Sequence, residues 1–251
     1  MFDFFYAASA ISYDVGIVAD CTPSILAFAR RLPILKNDVR FLAIHWSMCD
    51  RAYPSNLRGH PLFVSSSKKP FSRARNVNLL QRMSNGTYFI IVDTDMLITQ
   101  SALDHVRRRV TPGVAYFPIV WSQYSPTSIK LVERFYNRKL KPRNEHTGFW
   151  RDFGYGMFAL HKRDVRRFAM DERFVGWGGE DNDFYARVKR ATRIVRKKDR
   201  GFVHVWHPQR CDNITSPKYK HKCVSSKASA FGSKLAMMLW MLNDTRVRAE
   251  T

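Results

Sequence analysis

Asp93-Thr94-Asp95 places two carboxylates directly behind the β-prone run YFIIV, Tyr88 to Val92. In extended backbone, residues two apart face the same way, so both acids can converge on one point at a strand end. Two hard oxygen donors beside a loop suit Mg²⁺ or Mn²⁺, with a diphosphate completing the shell. Asp-x-Asp also describes a pair of solvated loop aspartates. Its place behind a buried-strand pattern, in a chain short of acids, favours the metal reading.

Three further clusters carry chemistry. Trp177-Gly178-Gly179-Glu180-Asp181 runs into Asn182, Asp183 and Phe184. Paired glycines let backbone approach a ligand, and the acids open a predicted helix whose amides favour carboxylates. That pattern fits a helix cap with an acidic first turn. Its chemical reading is a sugar platform on Trp177 and a general base among Glu180 and Asp181. His204-Val205-Trp206-His207-Pro208 offers a nitrogen ligand at a strand end. Grouping these histidines with Cys211, His221 and Cys223 as a zinc site matches no closed zinc spacing. In Phe71-Ser72-Arg73-Ala74-Arg75-Asn76, an arginine at a loop-to-helix junction can reach phosphates, helped by the helix N-terminus.

The elements that must position these groups alternate between strand and helix patterns. Strands are predicted over Val15–Ala19, Val39–Trp46, Leu62–Ser65, Tyr88–Val92, Val114–Trp121, Arg193–Arg196 and Phe202–Val205. Helices are predicted over Pro23–Leu32, Arg73–Met83, Ala102–Val110, Asp181–Arg190 and Lys227–Leu242. This order argues for an α/β sheet with parallel strands, whose ligands gather beyond the strands' carboxyl ends. Lys139 to Gly156 reads as loops over the site, and the segment after Cys211 as basic and irregular.

Lys and Arg number 42 against 21 Asp and Glu, a formal net charge of +21. An excess this large exceeds what solubility needs and concentrates anions: nucleic acid, acidic membrane, nucleotide phosphates or acidic polysaccharide. No apolar run is long enough to cross a bilayer. Met1 to Ile11 carries Asp3 and lacks a basic leader, so it makes a poor signal peptide. Of Cys21, Cys49, Cys211 and Cys223, the last two sit close in a loop-rich stretch. A bridge between them would suit an oxidising compartment, as would the sequons at Asn85, Asn213 and Asn243.

Taken together, FSRARNVNLL, YFIIVDTDMLIT, YFPIVWSQYSP, TGFWRDFGYGM, GWGGEDNDFYARV and VHVWHPQRCD with YKHKCVSSKAS resemble the chondroitin N-acetylgalactosaminyltransferases, relatives of the β1,4-galactosyltransferases. The resemblance implies a single GT-A-like α/β domain with a mixed, mostly parallel central sheet flanked by helices. Residues 1–70 would hold the nucleotide-binding strands and helix, 71–232 the motif-bearing core, and 233–251 a C-terminal helix and tail. It implies an inverting transferase using UDP-N-acetylgalactosamine and Mn²⁺, with a glucuronate-terminated glycosaminoglycan as acceptor, in the Golgi lumen. Nucleic acid is not an expected partner.

Carried over by position, Asp95 binds the metal, with His204 as the first-choice histidine ligand, and Asp93 and His207 in reserve. Phe71, Arg73, Asp93, Thr94 and Asp95 serve the donor. Trp177, Gly178, Gly179 and Glu180 contact sugar, and Asp181 is the base, with Glu180 beside it. WGGED is closer to the galactosyltransferase pattern than the WGLED of some chondroitin enzymes, which keeps UDP-galactose and UDP-glucuronic acid as alternative donors. An inactive polyanion-binding module is the alternative of a different class.

Overall fold

The computed structural model describes residues 12–19, 22–36, 38–45, 54–66, 71–175, 178–208, 211 and 217–249. In chain order the elements are β1 (Ser12–Ala19), α1 (Thr22–Arg31), β2 (Asp38–His45), β3 (Asn56–Leu57), β4 (His60–Ser66), α2 (Arg73–Met83) and β5 (Tyr88–Asp93). There follow β6 (Met96–Ile98), α3 (Gln100–Arg109), β7 (Val114–Tyr116), β8 (Ile119–Gln123), α4 (Pro126–Tyr136), β9 (Gly148–Arg151) and β10 (Phe158–His161). The chain closes with α5 (Lys162–Val165), α6 (Glu180–Ala191), β11 (Arg193–Val195), β12 (Lys198–His204), α7 (Pro217–Ser229) and α8 (Lys234–Ala249). Two compact units are present. Of the described residues, the larger draws on those within 12–94, 98–118 and 154–196, the smaller on those within 95–97, 119–153 and 197–249.

The larger unit is built on an eight-stranded sheet of order β11-β7-β10-β5-β1-β2-β4-β3. β1 pairs in parallel with both β2 and β5. Covered on both faces, β1 and β5 read as nearly unbroken apolar runs, as central parallel strands do. At Gly16 an added Cβ would lie 3.1 Å from Ile91 Cδ1, so β1 fits closely beside β5 there. Phe89, Phe117, Phe158 and Phe184 are fully buried together with Ala74, Val77 and Leu80 of α2. Each aromatic burial contributes roughly 1.5–3 kcal/mol, and the cluster fixes α2 and α6 against the sheet.

Asp14 sets where β5 begins. Its fully buried carboxylate accepts from Ser84 Oγ at 2.8 Å, Asn85 N at 2.8 Å and Gly86 N at 2.6 Å, and from Arg40 Nε at 2.9 Å. These charge-assisted bonds hold the turn from α2 into β5, and so the strand that ends on Asp93. The side chain of the sequon residue Asn85 accepts from Arg40 as well.

The smaller unit is built on the sheet β6-β12-β8-β9, with α4 packed on α8. Cys211 and Cys223 are joined by a disulfide. Among the described residues, no helix is long and apolar enough to cross a membrane.

Several expected boundaries differ. The strand predicted over Val114–Trp121 is two strands, β7 and β8, in different units. Phe117 and Pro118 separate them, and proline cannot donate to a ladder. β10 carried no strand prediction, and it runs antiparallel to β5 and β7. The supposed loops from Lys139 to Gly156 contain β9. The basic segment after Cys211 contains α7, and the helix expected over Lys227–Leu242 is the end of α7 and the start of α8. The break falls at Gly232, where a Cβ would sit 2.8 Å from Ser128 Cβ. Cys21, Cys49, Trp177, the sequon residue Asn213 and the segment 1–11 lie outside the described residues.

Candidate active site

The smaller unit gathers Asp95, His204 and His207. Asp95 sits in the turn after β5, and its carbonyl accepts from Val205 N at 2.9 Å, which docks that turn beside the end of β12. Asp95 Oδ2 lies 3.2 Å from His204 Nε2 and 3.1 Å from His207 Nε2. Behind His204, Ser122 Oγ of β8 lies 3.0 Å from Nδ1, which orients the ring so that Nε2 faces the acid. His204 is buried, while the His207 side chain keeps 45% of its exposure and forms the open side. Burial pushes the Asp95 carboxyl up, but the hydrogen bonds from His204 and His207 outweigh it and hold the pKa far below the usual range. The same bond to Asp95 raises His207.

This donor set fits a small divalent cation. One ligand atom from each of Asp95, His204 and His207 lies within 4.8 Å of the others. Among the described residues, Asp95 Oδ1 is buried without a hydrogen-bond partner, an arrangement that costs free energy unless something further binds there. A carboxylate and two imidazoles, one held from behind by a hydroxyl, make a mixed O/N site of the kind Mn²⁺ accepts. His204 and His207, expected as first choice and reserve, meet the same carboxylate oxygen.

Asp93 meets a different partner, Arg73, in the larger unit. Arg73, at the first position of α2, is buried and donates from Nη2 to Asp93 Oδ1 at 3.1 Å and to the Gly156 carbonyl at 2.8 Å. Its Nη1 lies 4.0 Å from Glu180 Oε1. Burial lowers the Arg73 pKa, yet Asp93 and then Glu180 more than reverse that and leave it raised. Arg73, the arginine at the loop-to-helix junction, thus stands between Asp93 and Glu180 inside the larger unit. The extended geometry assumed for Asp-Thr-Asp ends at Asp93. Thr94 and Asp95 form a turn, so side-chain alternation no longer applies, and the Thr94 carbonyl accepts from Arg31. Phe71 is half-buried just before Ser72, which caps α2 by accepting from Arg75 N at 3.3 Å.

Gly178 and Gly179 adopt φ of 110° and 93°, a left-handed backbone that glycine enters without strain. They turn the chain so that Glu180 and Asp181 open α6. Glu180 is buried, accepts from Gly178 N at 2.7 Å, and is pushed up by burial with Arg73 opposing. Asp181 is half-buried and accepts from Tyr155 N at 3.1 Å and Asn182 N at 2.9 Å. Tyr155 stacks on Tyr185 at 3.8 Å between centroids, under the Arg196 guanidinium at 4.6 Å. Sequence reasoning missed Tyr155, Gly156 and Ser122 as supports. Gly156 had a signal, as a glycine inside TGFWRDFGYGM. An added Cβ there would lie 3.2 Å from Arg73 Nη2.

The family model for "Chondroitin N-acetylgalactosaminyltransferase" matches residues 35–237. The chain belongs to this family. It is 32% identical over 192 residues to human chondroitin sulfate synthase 3, covering 72% of this chain and 21% of the relative. With human chondroitin sulfate N-acetylgalactosaminyltransferase 1 the identity is 32% over 186 residues, 68% of this chain and 34% of the relative. The family member thus spans between a fifth and about a third of the length of these relatives. Its fold is that of the GT-A glycosyltransferases. Staphylococcus aureus TarS 1-349, solved in complex with UDP-GlcNAc, superposes with a TM-score of 0.51 at 12% identity, covering 87% of this chain and 66% of that one.

Proposed function

We propose that this chain is the catalytic part of an inverting glycosyltransferase that moves N-acetylgalactosamine from UDP-N-acetylgalactosamine to a glucuronate-terminated, chondroitin-type glycosaminoglycan. The observation that carries the reading is the convergence of His204 and His207 on one oxygen of Asp95, whose other oxygen is buried without a partner. Family membership supports the donor and acceptor class. The disulfide between Cys211 and Cys223 supports an oxidising compartment such as the Golgi lumen.

Asp95, His204 and His207 are the residues that would hold Mn²⁺, and the cation's contribution is positive charge against the diphosphate as it leaves. Asp181 is assigned as the base. The backbone amides of Tyr155 and Asn182 aim its carboxylate. It takes the proton of the acceptor hydroxyl as that oxygen bonds to the anomeric carbon and the bond to the UDP oxygen breaks, UDP keeping the electron pair. Arg73 is a positioning residue: it orients Asp93, which with Thr94 and Phe71 is assigned to the donor. Glu180, with Trp177, Gly178 and Gly179, is assigned to the sugar.

The deciding experiment is a panel of UDP-sugars with Mn²⁺, assayed with and without a glucuronate-terminated acceptor. Acceptor-dependent release of UDP from UDP-N-acetylgalactosamine is the expected result. Preference for UDP-galactose or UDP-glucuronic acid would reassign the donor. No release from any of them would leave a polyanion-binding module in place of an enzyme.

A further inference from the structure

We infer that α4 and the loop after it form a docking surface for an anionic polysaccharide chain, using none of the residues assigned above. The inference rests on the glycosaminoglycan acceptor just proposed, and extends it from the reacting end to the body of the polymer. Lys130, Arg134, Arg138, Lys139, Lys141 and Arg143 are all exposed. Only Glu133 and Glu145 oppose them in this stretch. Glu133 is already engaged by Lys139 Nζ at 3.0 Å and Leu140 N at 3.1 Å.

Local structure lines these cations up. Lys130 and Arg134 are four residues apart on a helix and share a face. Asn137 ends α4 in the left-handed conformation, φ 47°, and turns the chain so that Arg138 and Lys139 follow that face. Lys130, Glu133, Arg134, Asn137, Arg138 and Lys139 line an open groove of about 560 Å³. Phe135 and Tyr136 remain 57% and 40% exposed. Arg138 lies 5.5 Å from the Tyr136 ring centroid. α4 buries Ser128 and Val132 instead, so packing does not account for the charges, and like charges this close repel one another.

Charge complementarity selects a polyanion, and exposed rings beside the cations suit the apolar faces of sugars. The disulfide in the same unit argues for an oxidising compartment rather than one that holds nucleic acid. A membrane-surface helix would leave a continuous apolar face open, whereas α4 packs its apolar side, with Val132 buried, against α8 and turns its cations outward. Cations spread along a groove engage a polymer at several points, which raises its local concentration without tightening the grip on a single sugar.

The test uses the full chain with long unsulfated chondroitin, a short oligosaccharide with the same glucuronate end, and phosphatidylserine vesicles. The triple variant Arg134→Ala, Arg138→Ala, Lys141→Ala should bind long chondroitin about tenfold more weakly near physiological salt, with a shallower salt dependence. Its KM for the short acceptor should be unchanged. The equal-charge control Lys162→Ala, Arg163→Ala, Arg166→Ala, on exposed positions of α5 and its C-cap, should bind the polymer as the parent does. Equal weakening by both variants would reduce the effect to net charge and overturn the proposal, as would unchanged polymer binding by the α4 variant. Vesicle binding lost in that variant, with no polymer binding by the parent, would overturn it in favour of a membrane. Polymer binding is read without turnover, so absence of transfer would fail the enzymatic reading alone.

Discussion

His207 Nε2 lies 3.1 Å from Asp95 Oδ2 across 112 residues of sequence. His204 reaches the same oxygen from the end of β12. An imidazole pair meeting a carboxylate at one oxygen, with the second oxygen buried and unpartnered, is a donor set in waiting, and its consequences can be measured.

Calorimetric titration with Mn²⁺ should find one site. Asp95→Ala should abolish it, and His207→Ala should weaken it at least tenfold, because each removes one of three protein donors. Ser122→Ala removes the group behind His204 and should cost about 10–100-fold in affinity. A parent-like Mn²⁺ affinity in Asp95→Ala would sink the site.

Asp181→Asn keeps the shape of the side chain and removes its basicity. Turnover should fall by about 10²–10⁴-fold, with UDP affinity unchanged. Undiminished transfer by this variant would take the base away from Asp181.

Arg73 holds a buried acid in place. Arg73→Met leaves Glu180 in the interior without its cation, and should destabilise the fold by about 3 kcal/mol in urea unfolding. Adding Glu180→Gln should recover part of that loss. Gly156→Ala acts on the same arginine from the other side, pushing on Nη2, and should cost about 1 kcal/mol. Full stability in Arg73→Met would show that Glu180 does not need the cation.

Tyr13 gives stability a pH dependence far from the site. It is fully buried and stacked on Tyr88, and burial first, then Tyr88, pushes its phenol up to about 12. A raised folded-state pKa means that the contribution is complete below the unfolded value near 10. It is lost as the pH climbs through the folded value. Between those limits the fold should lose about 2–3 kcal/mol. In Tyr13→Phe this part of the alkaline decline should vanish, and an unchanged profile would contradict the assignment.

How much of this was legible in the sequence differs by element. β5 and α2 were read almost to the residue, because an apolar run and a Ser-capped periodic segment are local signals. The cluster types were legible too: an acid pair behind a strand, acids after paired glycines, histidines at a strand end. β10 was missed because four residues carry too little pattern, and Val114–Trp121 was read as one strand because apolar content does not reveal where a chain changes sheets. Nothing near Arg73 in sequence announces that Asp93, Gly156 and Glu180 surround it.

By itself, the sequence determined the family and the kinds of groups available, since linked motifs in fixed order are a property of the chain. Only the tertiary structure decided the pairing of those groups. Asp93 and Asp95 stand two apart, yet a turn at Thr94 gives one to Arg73 and the other to His204 and His207. Strand register and remote hydrogen bonds made that choice, and neither is written into the local pattern around an Asp-Thr-Asp.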